Sequence, residues 1–70
     1  MNPHPLLRKR VMAPLHGGKF VVGRLMDVDY NVAAHIKSGR MLYVVDIKEV
    51  KPATRADLVW LQLKGAIQHD

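Results

Sequence analysis

The segment Arg40–Val50 restricts the fold of this chain more than any other part of the sequence. It has the chain's highest density of β-branched and aromatic residues, which favours a β-strand. The alternate positions from Met41 to Ile47 are all apolar, whereas those from Leu42 to Lys48 begin apolar and end polar. A strand with this pattern is buried along one face and along the first half of the other. We therefore predict the central strand of a small sheet.

The size of the chain allows one small domain. Its 70 residues form a marginal core, and without cysteine it has neither a disulfide nor a thiolate metal site. We predict a single domain over residues 1–70, with residues 1–7 as a flexible arm. Because no apolar run approaches the roughly 20 residues of a membrane helix, and the N-terminus does not resemble a secretory signal, we expect a cytoplasmic protein that does not contact membranes.

A glycine pair predicts a hairpin between strands at residues 8–15 and 19–28. Gly17 and Gly18 suit a two-residue turn, which places Leu15 opposite Phe20 and Val11 opposite Arg24. Pro14 has no amide N–H to donate, so the first strand is expected at a sheet edge or at a bulge. That edge is also where a second copy of the chain could pair to form a homodimer.

Residues 31–38 predict a short connecting helix. Asp29 or Asn31 can cap its beginning, and Gly39 suits the position just past its end. The rival interpretation of this segment is an ordered loop inside a longer hairpin.

The C-terminal segment predicts a helix over residues 55–67. Thr54 and Asp57 have the spacing of a capping box. A helical period collects one apolar stripe and leaves Leu58 and Leu61 outside it; the stripe comprises Ala56, Val59, Trp60, Leu63, Ala66 and Ile67. Alternation through residues 59–64 also fits a strand, which would make the fold an SH3-like small β-barrel. The leading prediction is an α+β fold: a three-stranded antiparallel sheet over residues 8–15, 19–28 and 40–50, the short helix, and the C-terminal helix on one sheet face.

The positive charge of the chain is concentrated near its N-terminus. The net charge is +5, and residues 1–24 contain five cations and no acid: Arg8, Lys9, Arg10, Lys19 and Arg24. A one-sided basic patch favours an anionic partner. We predict that these residues bind the phosphate backbone of nucleic acid, because the few aromatic residues make a base-stacking platform unfavourable. An acidic protein surface is the other candidate partner.

A second hypothesis is a protein-interaction module. Leu58, Trp60 and Leu61 do not all fit inside the predicted core, and a surplus of large apolar side chains often marks an interface. In this hypothesis the chain is a homodimer, or an inhibitor or adaptor that docks on a larger protein. Accessory proteins of phages and plasmids offer an analogy only.

The sequence argues against catalysis and against a cofactor. The four histidines do not form a close-spaced pair of the kind typical of zinc sites. Asp27 and Asp29 are interpreted as a strand end and a helix cap, and Ser38 lacks a nucleophile-elbow context. We therefore expect a non-enzymatic binding protein that acts as a regulator, without catalytic or metal-binding residues.

Overall fold

The structure is a computed structural model that describes residues 4–68. Its elements, in chain order, are β1 (Arg10–Pro14), a 3-10 turn (His16–Gly18), β2 (Phe20–Asp29), β3 (Ala33–Ser38), β4 (Met41–Asp46), a second 3-10 turn (Ile47–Glu49), β5 (Lys51–Pro52) and α1 (Arg55–Leu63). The strands form one antiparallel sheet in the order β4-β3-β2-β1-β5. The α+β class is confirmed, but the prediction of three strands is wrong because five are present.

The predicted helix at residues 31–38 is wrong, because most of that segment is strand β3. Tyr30 and Asn31 both have positive φ, at 53° and 56°, and Val32 N–H donates to the Asp29 carbonyl at 2.9 Å. Two such residues inside this hydrogen bond form a type I′ turn, whose twist matches antiparallel strands. Asp29 therefore closes a hairpin and does not cap a helix. The rival interpretation, an ordered loop inside a longer hairpin, agrees with the hairpin, but Ala33–Ser38 is a strand and not a loop.

The segment predicted to be the central strand lies at one edge of the sheet. β4 pairs with β3 alone, and β2 is the central strand. The strand also ends at Asp46 and not at Val50, because the Asp46 carboxylate accepts the Lys48 N–H at 2.9 Å and begins the second 3-10 turn. The apolar residues Leu42 and Val44 are consequently exposed.

The predicted hairpin between β1 and β2 forms, but its register differs by one residue. Pro14 lies opposite Phe20, and Arg10 opposite Arg24. The connection is longer than a two-residue turn, because Leu15 N–H donates to the Lys19 carbonyl at 2.7 Å around the 3-10 turn. A one-residue difference changes which side chains are neighbours across the two strands.

Strand β1 is not the edge strand that its proline suggested. Val11 and Met12 pair with β5, so the edge predicted to bind a second copy is partly covered. Pro14 lies beyond these pairs, where its missing N–H has no ladder hydrogen bond to make.

One face of the sheet forms the core. Six residues are fully or almost fully buried there: Val11, Ala13, Val21, Leu25, Ala34 and Ile36. Leu6 and Leu7, which belong to the segment predicted to be an arm, pack against this core, and Leu7 N–H donates to the His4 carbonyl at 3.0 Å. Residues 1–3 of that segment lie outside the described part of the chain. We call the opposite side of the sheet the outer face.

A bulge and a glycine bend the central strand. The pairing of β2 with β3 shifts between Leu25 and Asp27, which leaves Met26 as the extra residue. A side chain at Gly23 would collide with the Lys37 carbonyl, so glycine permits the close approach of β3.

The capping box at the beginning of α1 is confirmed. Asp57 N–H donates to Thr54 Oγ1 and Thr54 N–H donates to the Asp57 carboxylate, each at 3.1 Å. The helix ends at Leu63, four residues before the predicted end, and Gly65 then adopts a positive φ of 65°. The alternative of a barrel strand at residues 59–64 is wrong, because these residues form the helix and its C-cap.

Replacement of the capping hydroxyl should weaken the fold. Thr54→Ala removes the acceptor of the Asp57 N–H, and we expect a loss of about 1 kcal/mol in unfolding free energy, measured by urea denaturation. Thr54→Ser retains the hydroxyl and serves as the control. Equal stability of the alanine and wild-type proteins would contradict a stabilising role for the cap.

The capping carboxylate should also make stability depend on acidity. The hydrogen bonds from the Thr54 hydroxyl, at 2.8 Å, and from its backbone N–H lower the pKa of Asp57 below the ordinary 3.8. A lowered folded-state pKa gives stability that is present above the unfolded-state value and is lost as the pH falls through the folded-state value. The stability difference between wild type and Asp57→Asn should therefore shrink as the pH falls below about 3.8. A difference that persists unchanged in acid would exclude this linkage.

Candidate functional site

An open groove on the outer face of the sheet contains a cluster of positive charge. It has a volume of about 740 Å³ and lies between the β-strands and the C-terminal segment, whose Leu58 and Ile67 line one side. Four cations line it: Arg8, Arg10, Arg24 and Lys37. No aspartate or glutamate of residues 4–68 is among its lining residues.

Strand pairing places three of these cations side by side. Arg10 lies directly opposite Arg24 on β1 and β2, and Arg24 lies directly opposite Lys37 on β2 and β3. Directly paired residues point to the same side of an antiparallel sheet and have Cα atoms about 4.5–5.5 Å apart. The three cations, which we call the basic row, therefore span about 10 Å across three strands.

Arg8 extends the cluster beyond the beginning of β1. Its backbone has a positive φ of 66°, which is uncommon for a residue other than glycine. Arg8 N–H donates to the Leu25 carbonyl at 2.6 Å, so this backbone conformation is anchored to the central strand. The anchor places the Arg8 side chain at the groove.

The cations of the basic row form no ion pair with the described acids. The structure gives none of the four groove cations an ion pair with an acid of residues 4–68. Asp29, the last residue of β2, instead accepts from His35 at 2.9 Å. Like charges directly opposite on a sheet destabilise it. A bound anion would offset this repulsion, so the row is a candidate anion-binding site.

The other two cations predicted to bind nucleic acid do not line the groove. Lys9 is exposed, and its backbone carbonyl accepts the Leu25 N–H at 3.0 Å. Lys19 lies at the opposite end of the hairpin, where its Nζ donates to the Gly65 carbonyl at 2.6 Å. The turn end of the hairpin lies four residues along the strand from the Arg10–Arg24 pair, or about 14 Å at about 3.4 Å per residue.

Lys37 is not among the binding residues predicted from the sequence, because that prediction places residues 31–38 in a helix. The alternation of Ala34 and Ile36, both buried, with His35 and Lys37 was the available signal for a strand. A strand in that position brings Lys37 beside Arg24 through its register.

The three residues predicted to form a protein interface separate in the structure. Leu61 is fully buried, and Leu58 is half-buried beside the groove. Trp60 is 55% exposed, with Lys64 Nζ 4.2 Å from its ring centroid. The predicted inward stripe is therefore wrong, because Val59, Trp60 and Leu63 face outward and the helix packs through Leu58 and Leu61.

Residues 4–68 contain no cluster of three or more histidine, aspartate or glutamate side chains that could hold a metal ion. No helix within that range is long and apolar enough to cross a membrane. His69, one of the four histidines considered above, lies outside the described residues.

No family model, curated protein or solved structure matches this chain. The function must therefore be inferred from the arrangement of its own residues.

The orientation of α1, with Leu61 buried and Leu63 exposed, gives a stability prediction with a matched control. Leu61→Ala should lower the unfolding free energy by about 2–5 kcal/mol, because the side chain is fully buried. Leu63→Ala makes the same chemical change in the same helix at a residue that is 82% exposed, and should change stability by about 0.5 kcal/mol or less. Urea denaturation of both variants checks this; equal losses would contradict the observed helix orientation.

Proposed function

We propose that this chain is a small non-enzymatic protein that binds the phosphate backbone of nucleic acid in the basic groove, with a regulatory role. The observation that carries the proposal is the basic row, in which Arg10, Arg24 and Lys37 are direct cross-strand neighbours. No acid of residues 4–68 pairs with them. An acidic protein surface would be attracted by the same charges and is the other candidate partner of the groove.

The chemistry of the groove suits phosphates better than bases. Arginine presents a planar guanidinium that can bind phosphate oxygens through two hydrogen bonds, and lysine adds a point charge. The row spans about 10 Å, which matches the axial rise of about three nucleotides in one strand of duplex DNA. None of the groove-lining residues is aromatic, so base stacking within the groove has no platform.

The proposal predicts binding that depends strongly on salt and on the basic row. Fluorescence anisotropy with labelled random duplex and single strand, at low and moderate salt, should show affinity that falls steeply as salt rises. Arg24→Gln should weaken binding to every sequence about equally. For each phosphate that the variant no longer neutralises, the slope of log affinity against log salt should decrease in magnitude by about 0.9 on duplex DNA.

Lys48→Gln is the matched control, because it removes one positive charge from an exposed residue outside the groove. It should retain most of the affinity that Arg24→Gln loses. Absence of binding by the wild type at low salt would refute the proposed function. Equal losses of affinity in the two variants would show that net charge acts without the groove.

A second candidate function, the protein-interaction module, is supported by the outward apolar stripe of α1. Val59, Trp60 and Leu63 are 51%, 55% and 82% exposed, and their spacing places them on one side of the helix. An inhibitor or adaptor held by this stripe would bind its partner with little dependence on salt. Trp60→Ala would weaken that complex and Arg24→Gln would not, which is the reverse of the pattern expected for nucleic acid.

A further inference from the structure

The two edges of the sheet differ in how well they are protected against pairing with another chain. β5 has only two residues, Lys51 and Pro52, and therefore combines a very short strand, a lysine and a proline. Those are common devices that prevent edge pairing. β4 has six residues, contains neither lysine nor proline, and pairs with β3 without a bulge. Its edge is long and regular and has none of these three devices.

The hydrogen-bonding pattern shows which backbone groups of β4 point away from the sheet. Ile47 N–H donates to the Val32 carbonyl at 2.8 Å, in line with the β3–β4 register. Since hydrogen-bonded and non-hydrogen-bonded pairs alternate, Tyr43 and Val45 also bond towards β3. The N–H and C=O groups of Leu42 and Val44 therefore point to the open edge.

The side chains along this edge are apolar and accessible. Leu42 and Val44, on the outer face, are 55% and 59% exposed, and Met41 is 50% exposed. An open cleft of about 360 Å³ lies between the Val44 end of β4 and the residues around His16. No strand of residues 4–68 pairs with this edge.

We propose that β4 pairs with β4 of a second copy of this chain, in antiparallel orientation about a two-fold axis at Tyr43. The alternation of backbone groups restricts self-pairing to registers centred on a single residue, because both members of a pair must direct their groups outward or both inward. The three registers that use most of β4 are centred on Leu42, Tyr43 or Val44.

Charge and side-chain matching select the register centred on Tyr43. It places Leu42 opposite Val44 of the second copy and Arg40 opposite Asp46 of the second copy, so both ends carry opposite charges. Centring on Val44 would place Arg40 opposite Lys48, and centring on Leu42 would leave Arg40 opposite Val44. Opposite charges and apolar pairs directly across an antiparallel ladder are stabilising, whereas like charges are destabilising.

This pairing would join two five-stranded sheets into one of ten strands. The Leu42–Val44 pairs, formed twice by symmetry, exchange backbone hydrogen bonds through the groups identified above. The contact is narrow compared with a standard interface of about 1,600 Å². The expected behaviour is therefore a concentration-dependent equilibrium between monomer and dimer.

A charge-swap experiment tests the register. In sedimentation velocity over a concentration series, the wild-type mass should rise from 7.9 kDa towards twice that value. Arg40→Glu and Asp46→Arg should each remain monomeric, because each places like charges opposite one another. The double variant carrying both changes should recover the dimer. Circular dichroism should accompany each run, since Asp46 also accepts the Lys48 N–H at 2.9 Å.

A second variant keeps the test decisive if the change at Asp46 unfolds the chain. Leu42→Lys adds an edge lysine at an exposed position and leaves both charged residues in place; it should abolish dimerisation without loss of stability. A wild type that stays at 7.9 kDa at the highest concentration would overturn the proposal, as would a folded Leu42→Lys or Arg40→Glu variant that still dimerises. A folded double variant that remains monomeric would overturn the register. Arg40, Leu42 and Asp46 do not line the basic groove, so the result of the dimerisation test is independent of the result of the nucleic-acid test.

Discussion

The structure depends on the pairing of β2 with a neighbouring strand on each side. Leu25 shows this pairing on both sides. Its N–H donates to the Lys9 carbonyl at 3.0 Å, and its carbonyl accepts the Arg8 N–H at 2.6 Å. On the other side of β2, Leu25 lies opposite Ile36 of β3. The alternation along β2 sends Val21 and Leu25 into the core and Arg24 to the outer face. A shift of β2 by one residue would reverse these faces and place charge in the core. Burial of the apolar residues therefore fixes the register, and the register fixes the groove.

The basic row follows from this register and not from proximity along the chain. Arg10 and Arg24 belong to one hairpin, and Lys37 comes from the next strand. The cations near the N-terminus suggested the cluster, but strand pairing selects the three members of the row, and the hydrogen bond from Arg8 N–H to Leu25 places Arg8 at the groove. Lys9, between Arg8 and Arg10, does not line the groove. A continuous run of cations along the chain therefore does not by itself define one surface.

Local signals predicted the parts of the fold that local interactions determine. The capping box at Thr54 identified the beginning of α1, and the α+β class followed from the strand and helix patterns. The prediction of a helix over residues 31–38 is wrong because the six residues Ala33–Ser38, with two alanines, favour a helix only weakly. Pairing with a strand on each side overrides that preference. The predicted helix face is wrong because α1 is apolar around most of its surface, and only the packing of the folded chain selects Leu58 and Leu61 for burial over Val59 and Leu63.

The wrong prediction for β4 is itself informative about association. Its sequence has the pattern of a strand covered on both sides at its beginning, yet Leu42 and Val44 are exposed at an edge. A second β4 would supply the missing neighbour and make the sequence pattern consistent with the fold. A two-fold axis perpendicular to the sheet keeps the outer faces of both copies on the same side. The two basic rows would then lie on one continuous surface, where a polyanion could contact both and gain affinity from the second contact without any new residue.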